Sequence, residues 1–236
     1  MYPMFYGIDP LYLGVMVVTL LLAGGASLVT RLTFRRYANT ITYSRITGAE
    51  AAVRMLRMNG VSGVKVERVD GFLTDHYDPA HKVLRLSPNV HDGSSLSSVG
   101  VACHEVGHAL QDAERYAPLV LRTALVPLAQ IGNNFGYIVI MLGAVLHALA
   151  LVKIGILLFG AAVAFALVTL PVEWDASARA KRQMTACSIV GPGQEVAAGR
   201  VLNAAFLTYL AGAISALLML LYYLLRSGLI GGRRDD

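Results

Sequence analysis

The chain has 236 residues, of which 56% are hydrophobic and only 15% charged, too apolar a balance for an ordinary soluble domain. Its formal net charge of +5 is what basic residues flanking membrane helices produce against anionic head groups, and nothing in it points to a nucleic-acid partner. Two cysteines, Cys103 and Cys187, exclude a disulfide framework and a thiolate zinc cage.

In chain order, residues 1–10 (MYPMFYGIDP) hold no Lys or Arg, and residues 11–29 (LYLGVMVVTLLLAGGASLV) are long and apolar enough to span a bilayer. Arg31, Arg35 and Arg36 follow at once. That polarity is the reverse of a cleaved signal, so 1–30 reads as an N-terminal anchor with its first residues outside.

Residues 31–118 are polar enough to form a module beyond the bilayer, and the positive-inside rule makes it cytoplasmic. In TGAEAAVRMLRMNG, Thr47 and Glu50 form a capping box, Ala49, Ala52, Val53 and Leu56 an apolar face, and Asn59-Gly60 a stop. GVKVERV (63–69) and KVLRLS (82–87) have the composition of short strands in a hairpin or small sheet, separated by the turn-rich DGFLTDHYDPAH. A helix over about 95–115 follows, with Asp92, Ser94 or Ser95 as its cap.

That helix carries HEVGH, His104 to His108. Six His and six Glu in a chain of this length would produce a His-Glu-x-x-His spacing by accident only roughly 0.004 times. On a helix, residues four apart share a face, so both imidazoles can converge on one ion while Glu105 lies within about 100° of them. Zinc in such a site polarises a carbonyl and lowers the pKa of a water, whose proton the carboxylate can pass to a leaving amine. The reaction class is amide hydrolysis. Gly107 weakens a helix and suits a place where another group comes close.

Residues 119–172 form a hairpin of two spans, about 119–146 and 152–172, with a turn near His147 to Lys153, and only Arg122 and Lys153 are charged between 117 and 172. Gln130, Asn133 and Asn134 could line a polar pocket, although interhelical hydrogen bonds are the plainer account. Gly132 and Gly136 allow close helix approach, within the chain or between copies as a homo-oligomer. Residues 173–200 return to the cytoplasmic side with Arg179, Lys181, Arg182 and Arg200. Residues 201–236 are a last span, over 201–225, and a tail in which Arg226, Arg233 and Arg234 face Asp235 and Asp236. The count of spans puts that basic tail outside, against the rule.

The motif supplies two ligands, and a catalytic zinc needs a third. Gln111 and Glu114 stand where His-x-x-Gly-x-x-His would require Gly and His, which excludes that subclass. His76, His81, His91, His147, Glu173 and Asp175 remain. Glu173 is favoured because it ends an almost charge-free run, where an ionisable group is a functional candidate, and because two spans return it to the face of His108. A capping carboxylate, or an ion pair with Arg179 or Lys181, is its structural alternative. His147 falls at the opposite turn, whereas His76, Asp175 and Arg179 could serve as outer or substrate-side groups.

TDHYDP (74–79), KVLRLSPNV (82–90), GVACHEVGHALQ (100–111), YAPLVLRTALVP (116–127) and LPVEWDASARA (170–180), in this order, resemble the YugP-like membrane zinc metallopeptidases of bacteria. The resemblance implies a multi-pass protein of bacterial inner-membrane type with Zn2+ on His104 and His108 and with Glu105 as general base. It is similar to the gluzincin group that includes HtpX-type membrane proteases, whose Glu-x-x-x-Asp supplies the third ligand; Glu173 takes the first position, and Ser177 replaces the Asp, with Asp175 nearby.

The expected fold is mainly α: a multi-pass α-helical membrane protein of about four spans with a small α+β zincin-like cytoplasmic module. The expected function is a zinc metallopeptidase, one Zn2+ per chain, acting on peptide or membrane-protein substrates. The alternative is a zinc-binding scaffold or sensor without proteolysis. Proteolysis inside the bilayer is disfavoured by Asp112, Glu114 and Arg115, which would be costly at that depth. The strand within 81–87 could offer an edge to a peptide.

Overall fold

A computed structural model describes residues 9–71 and 74–230. The elements are α1 (Pro10–Tyr37), α2 (Gly48–Met58), β1 (Lys65–Arg68), β2 (His76–Asp78), β3 (Val83–Leu86), α3 (Pro88–His91), α4 (Leu96–Ala113), α5 (Ala117–Ile131), a π-helical turn (Gly132–Gly136), α6 (Tyr137–Val145), α7 (Leu149–Ala186) and α8 (Gln194–Arg226). Four helical stretches, Pro10–Tyr37, Ala117–Val145, Leu149–Ala186 and Gln194–Arg226, are long and apolar enough to cross a membrane. The protein is mainly helical, with one small sheet. The tail charges Arg233, Arg234, Asp235 and Asp236 lie outside the described residues, as do Phe72 and Leu73 of the turn-rich segment.

Three of these helices outrun their apolar stretches. α1 continues past residue 29 to Tyr37 with Arg35 and Arg36 in its last turn, where cations complement the helix dipole. α7 does not end at Pro171 but runs through it to Ala186. A proline removes one hydrogen bond, yet the Ala, Arg, Glu and Lys residues that follow are strong helix formers and restore the ladder. Glu173 therefore sits inside a helix, and about three quarters of the cytoplasmic segment expected over 173–200 is helical.

The chain divides into two compact units. The first comprises Met1–Gly25, Leu121–Leu170 and Tyr209–Asp236. Within it, Ile140, Val152, Ile156, Tyr222 and Tyr223 form a buried apolar cluster. A Cβ on Gly132 would lie 2.2 Å from the Leu158 carbonyl oxygen, and one on Gly136 3.0 Å from the Phe159 nitrogen. The glycine pair is thus spent on backbone contact with α7 inside the chain. Asn133 and Asn134 are exposed and make no interhelical hydrogen bond among the described residues, because the same turn that buries the glycines points them away. Asp9 accepts from the Tyr222 hydroxyl at 2.9 Å and pairs with Arg226 at 3.0 Å, which brings the start of α1 beside the end of α8.

The second unit comprises Ala26–Val120 and Pro171–Thr208. The capping box of α2 is formed: Thr47 Oγ1 accepts from the Glu50 amide at 3.2 Å, and Glu50 Oε2 accepts from the Thr47 amide at 2.8 Å. Ser95 caps α4, accepting from the Ser98 amide at 3.1 Å. The sheet has the order β1-β3-β2. β1 pairs with β3 in parallel, Lys65 opposite Val83, and β2 pairs with it antiparallel, His76 opposite Arg85. β1 and β3 therefore do not make a hairpin. The stretch between them contributes β2, which occupies the second side of β3, so the strand within 81–87 is central and offers no edge. Its burial agrees, since Val83, Leu84 and Leu86 are all in the core.

That core draws Ala52 and Met55 from α2, Leu84 and Leu86 from β3, Val99, Ala102 and Val106 from α4, Ala180 and Met184 from α7, and Val201 and Leu202 from α8. Under about 100 residues, a module has too little interior to be robust alone. Here α7 and α8 supply the missing side of it. Cys103 and Cys187 are buried free thiols.

Candidate metal centre

His104 and His108, one turn apart on α4, present their rings edge to face with centroids 4.8 Å apart. α7 crosses this turn of α4 at Gly107, where an added Cβ would meet the Ala176 carbonyl oxygen at 2.5 Å. Only a glycine permits so close a backbone approach. The crossing sets Glu173 and Ser177, which flank Ala176, against the two imidazoles. Glu173 Oε2 lies 3.2 Å from His104 Nε2 and 3.6 Å from His108 Nε2, and the three candidate ligand atoms are all within 4.8 Å of one another. The Glu173 side chain is 2% exposed and that of His104 14%, so the cluster is buried on the carboxylate side and reachable from the side of His104.

The far nitrogens of both rings are also engaged. Gln111, one turn beyond His108 and wholly buried, donates through Nε2 to the Val172 carbonyl at 2.8 Å and to Asp175 Oδ2 at 2.9 Å. Those two acceptors fix which end of the amide is which, so its Oε1 faces His108 Nδ1 at 3.0 Å and accepts a proton from it. With Nδ1 as the donor to Gln111, Nε2 is the nitrogen that His108 turns toward Glu173. Ser177 Oγ stands 3.1 Å from His104 Nδ1. Behind Asp175, Arg179 donates to it at 2.5 Å and pairs with Glu114 at 2.7 Å, with its guanidinium over the Tyr116 ring at 5.7 Å.

This donor set fits zinc. Ligand distances of about 2.0–2.1 Å at tetrahedral angles place donor atoms about 3.4 Å apart, and the two nitrogen-to-carboxylate separations bracket that value. Two imidazoles, each hydrogen-bonded through Nδ1 to a neighbouring side chain, with a carboxylate, form the ligand chemistry of a catalytic site. Burial works against a charge on His108, but the hydrogen bond and charge of Glu173, with the charge of Glu105, outweigh it and raise its pKa. A cation is thus electrostatically welcome here. Glu105 is 8% exposed, on the same helix, and provides a carboxylate beyond the three converging candidate ligands.

The remaining candidates lie elsewhere. His76 contacts the Thr74 carbonyl at 2.8 Å and Arg85 at 3.4 Å, whereas the adjacent Tyr77 donates to Asp112 of α4 at 2.6 Å. Alternation along β2 accounts for this: Tyr77 faces α4 and His76 the other face. His81 pairs with Asp78 and His91 with Asp92. His147 occupies a left-handed turn position, φ 54°. Gln111 escaped the reading of the sequence as a positive element of the site. Its spacing, i+7 from His104 and i+3 from His108, put it on their stripe of the helix, and that stripe is the signal that could have found it.

Residues 12–228 match the family described as "Putative neutral zinc metallopeptidase". The chain is 41% identical over 215 residues to the "Putative membrane protease YugP" of Bacillus subtilis (strain 168), covering 91% of this chain and 96% of that protein. No solved structure matches. With a match running nearly end to end and through both α4 and α7, the chain belongs to this neutral zinc metallopeptidase family.

Proposed function

We propose that the protein is a membrane-bound zinc-dependent peptidase of gluzincin type, holding one Zn2+ per chain on His104, His108 and Glu173. The observation that carries this reading is the convergence of two imidazole nitrogens on one buried carboxylate oxygen, at 3.2 and 3.6 Å. Zinc bound there would supply a Lewis acid that polarises the scissile carbonyl and acidifies water. Glu105 accepts the proton of the attacking water and delivers it to the leaving amine. Gln111 and Ser177 hold the two imidazoles in the tautomer that offers Nε2, and Asp175, braced by Arg179, holds Gln111.

The site works at the cytoplasmic surface. Arg31, Arg35 and Arg36 at the end of α1, with Arg179, Lys181, Arg182 and Arg200 on α7 and α8, give its unit the basic character of cytoplasmic segments. Its substrates are peptides or membrane proteins that reach it from that side. Glu105→Gln tests the mechanism: purified in detergent, it should keep a full complement of zinc and lose about 10²–10⁴-fold in peptide hydrolysis. Cleavage at the parent rate by Glu105→Gln would sink the mechanism, and a zinc-loaded parent without hydrolysis would favour the scaffold or sensor.

A further inference from the structure

Where α7 and α8 leave their apolar runs, a groove of about 410 Å³ opens between them, lined by Lys181, Arg182, Glu195, Val196, Gly199 and Arg200, with Asn203 at its end. We infer that this groove binds the phosphate headgroup of an anionic membrane phospholipid. Its charge is unbalanced: three cations face one carboxylate, and among the described residues Lys181, Arg182 and Arg200 form no ion pair. Lys181 donates to Asn203 Oδ1 at 3.3 Å and Arg200 to the Tyr37 hydroxyl at 3.2 Å, neutral partners that position the cations without discharging them. Basic clefts of this kind between membrane helices suit lipid phosphates.

The groove is shaped as well as charged. Gly199 is buried, and a Cβ there would come within 3.2 Å of Lys181 Cδ, so the missing side chain is what leaves space beside the lysine stem. The location selects a lipid over a free anion. Trp174, 58% exposed, stands two residues beyond the charge-free run of α7, where indole rings mark the membrane interface. Its ring meets Phe206 at 5.3 Å and lies under the Lys181 ammonium at 5.6 Å. Exposed Val196 adds apolar surface beside the cations. A headgroup in the groove would have acyl chains alongside Trp174 and Phe206, a surface that inorganic phosphate does not use.

The test uses the full chain in a neutral detergent, titrated with dioleoylphosphatidylglycerol or dioleoylphosphatidylcholine and read by native mass spectrometry. Each cation near a lipid surface contributes about fivefold in affinity. Arg182→Gln/Arg200→Gln should therefore weaken phosphatidylglycerol binding about 25-fold and leave phosphatidylcholine binding unchanged. Gly199→Leu keeps every charge, fills the groove and should also weaken phosphatidylglycerol; it decides the matter if the double variant does not fold. Arg54→Gln/Arg57→Gln removes the same charge from α2 and should bind as the parent does. Equal loss in that control, parent-like binding by Gly199→Leu, or displacement of the lipid by a tenfold excess of inorganic phosphate would each overturn the inference. Zinc and proteolysis do not enter the readout.

Discussion

α7 meets another helix backbone to backbone in each of the two compact units. In the first, Leu158 and Phe159 press against Gly132 and Gly136; in the second, Ala176 presses against Gly107. The device is the same, a glycine that lets main chains touch. The side chains near each contact differ. Around the first contact they are Ile140, Val152 and Ile156, and around the second they are His104, His108, Gln111, Glu173 and Ser177. A close crossing in apolar surroundings packs a membrane bundle, whereas one flanked by polar side chains brings donors from two helices within reach of one ion. Proximity is supplied by the glycine and chemistry by its neighbours.

The heaviest test of that distinction removes the carboxylate that α7 contributes. Glu173→Ala leaves both histidines on α4 and the Gly107 crossing intact, so the helix contact survives without its third ligand. Zinc affinity should fall by more than about 100-fold, beyond the range for outer partners, measured by competition with a fluorescent chelator. Parent-like affinity would mean that α7 brings packing to this crossing and no ligand.

Gly107→Ala should come next. The new methyl would meet the Ala176 carbonyl, a backbone atom that cannot rotate aside, so α7 must shift and take Glu173 with it. A displacement near 1 Å can cost about 100-fold in rate, and overpacking costs about 1–3 kcal/mol in stability. The expected signature is joint loss of thermal stability, zinc and activity. If stability fell while zinc affinity stayed, the crossing would not be what aims the carboxylate.

The outer hydrogen bonds should separate by the number of partners each holds. Gln111→Ala strips the Nδ1 partner from His108 and takes a donor from both the buried Val172 carbonyl and Asp175, at about 1–3 kcal/mol. Zinc affinity should drop by about 10–100-fold. Ser177→Ala removes one hydroxyl from His104 and should cost less on both counts, nearer 0.5–1.5 kcal/mol and about tenfold. The reverse order would make the hydroxyl of Ser177 the more important support.

These expectations also mark how far the sequence could be read. The four apolar stretches, the capping box of Thr47 and Glu50 and the helix around His104 are local patterns, and they appear where local chemistry puts them. Glu173 could be singled out because two crossings of a membrane return a chain to the same face, an argument from topology that needs no coordinates. The run of α7 through Pro171 was not legible, since a proline marks a probable helix end and only the strong helix formers behind it speak against that. Strand direction was not legible either: the alternation in KVERV and KVLRL says which side chains are buried and is silent on whether the two run parallel. Gln111 was passed over because its partners, Val172 and Asp175, sit on a helix whose crossing point the sequence does not record. Gly107 was the hint of that crossing, and it did not say with what.

Gly132→Ala gives the smallest effect on the site. By geometry it is the harsher substitution, with its Cβ 2.2 Å from the Leu158 carbonyl oxygen, so a loss of about 1–3 kcal/mol in stability is expected as α5 and α7 are forced apart. Zinc affinity should nevertheless stay within about twofold of the parent, because every ligand and every outer partner belongs to the other unit and sites without shared partners behave additively. Thermal unfolding and chelator competition on the same preparation separate the two quantities. If Gly132→Ala released zinc as Gly107→Ala is expected to, α7 would be transmitting strain along its length, and the two crossings would have to be treated as one mechanical element instead of a structural contact and a chemical one.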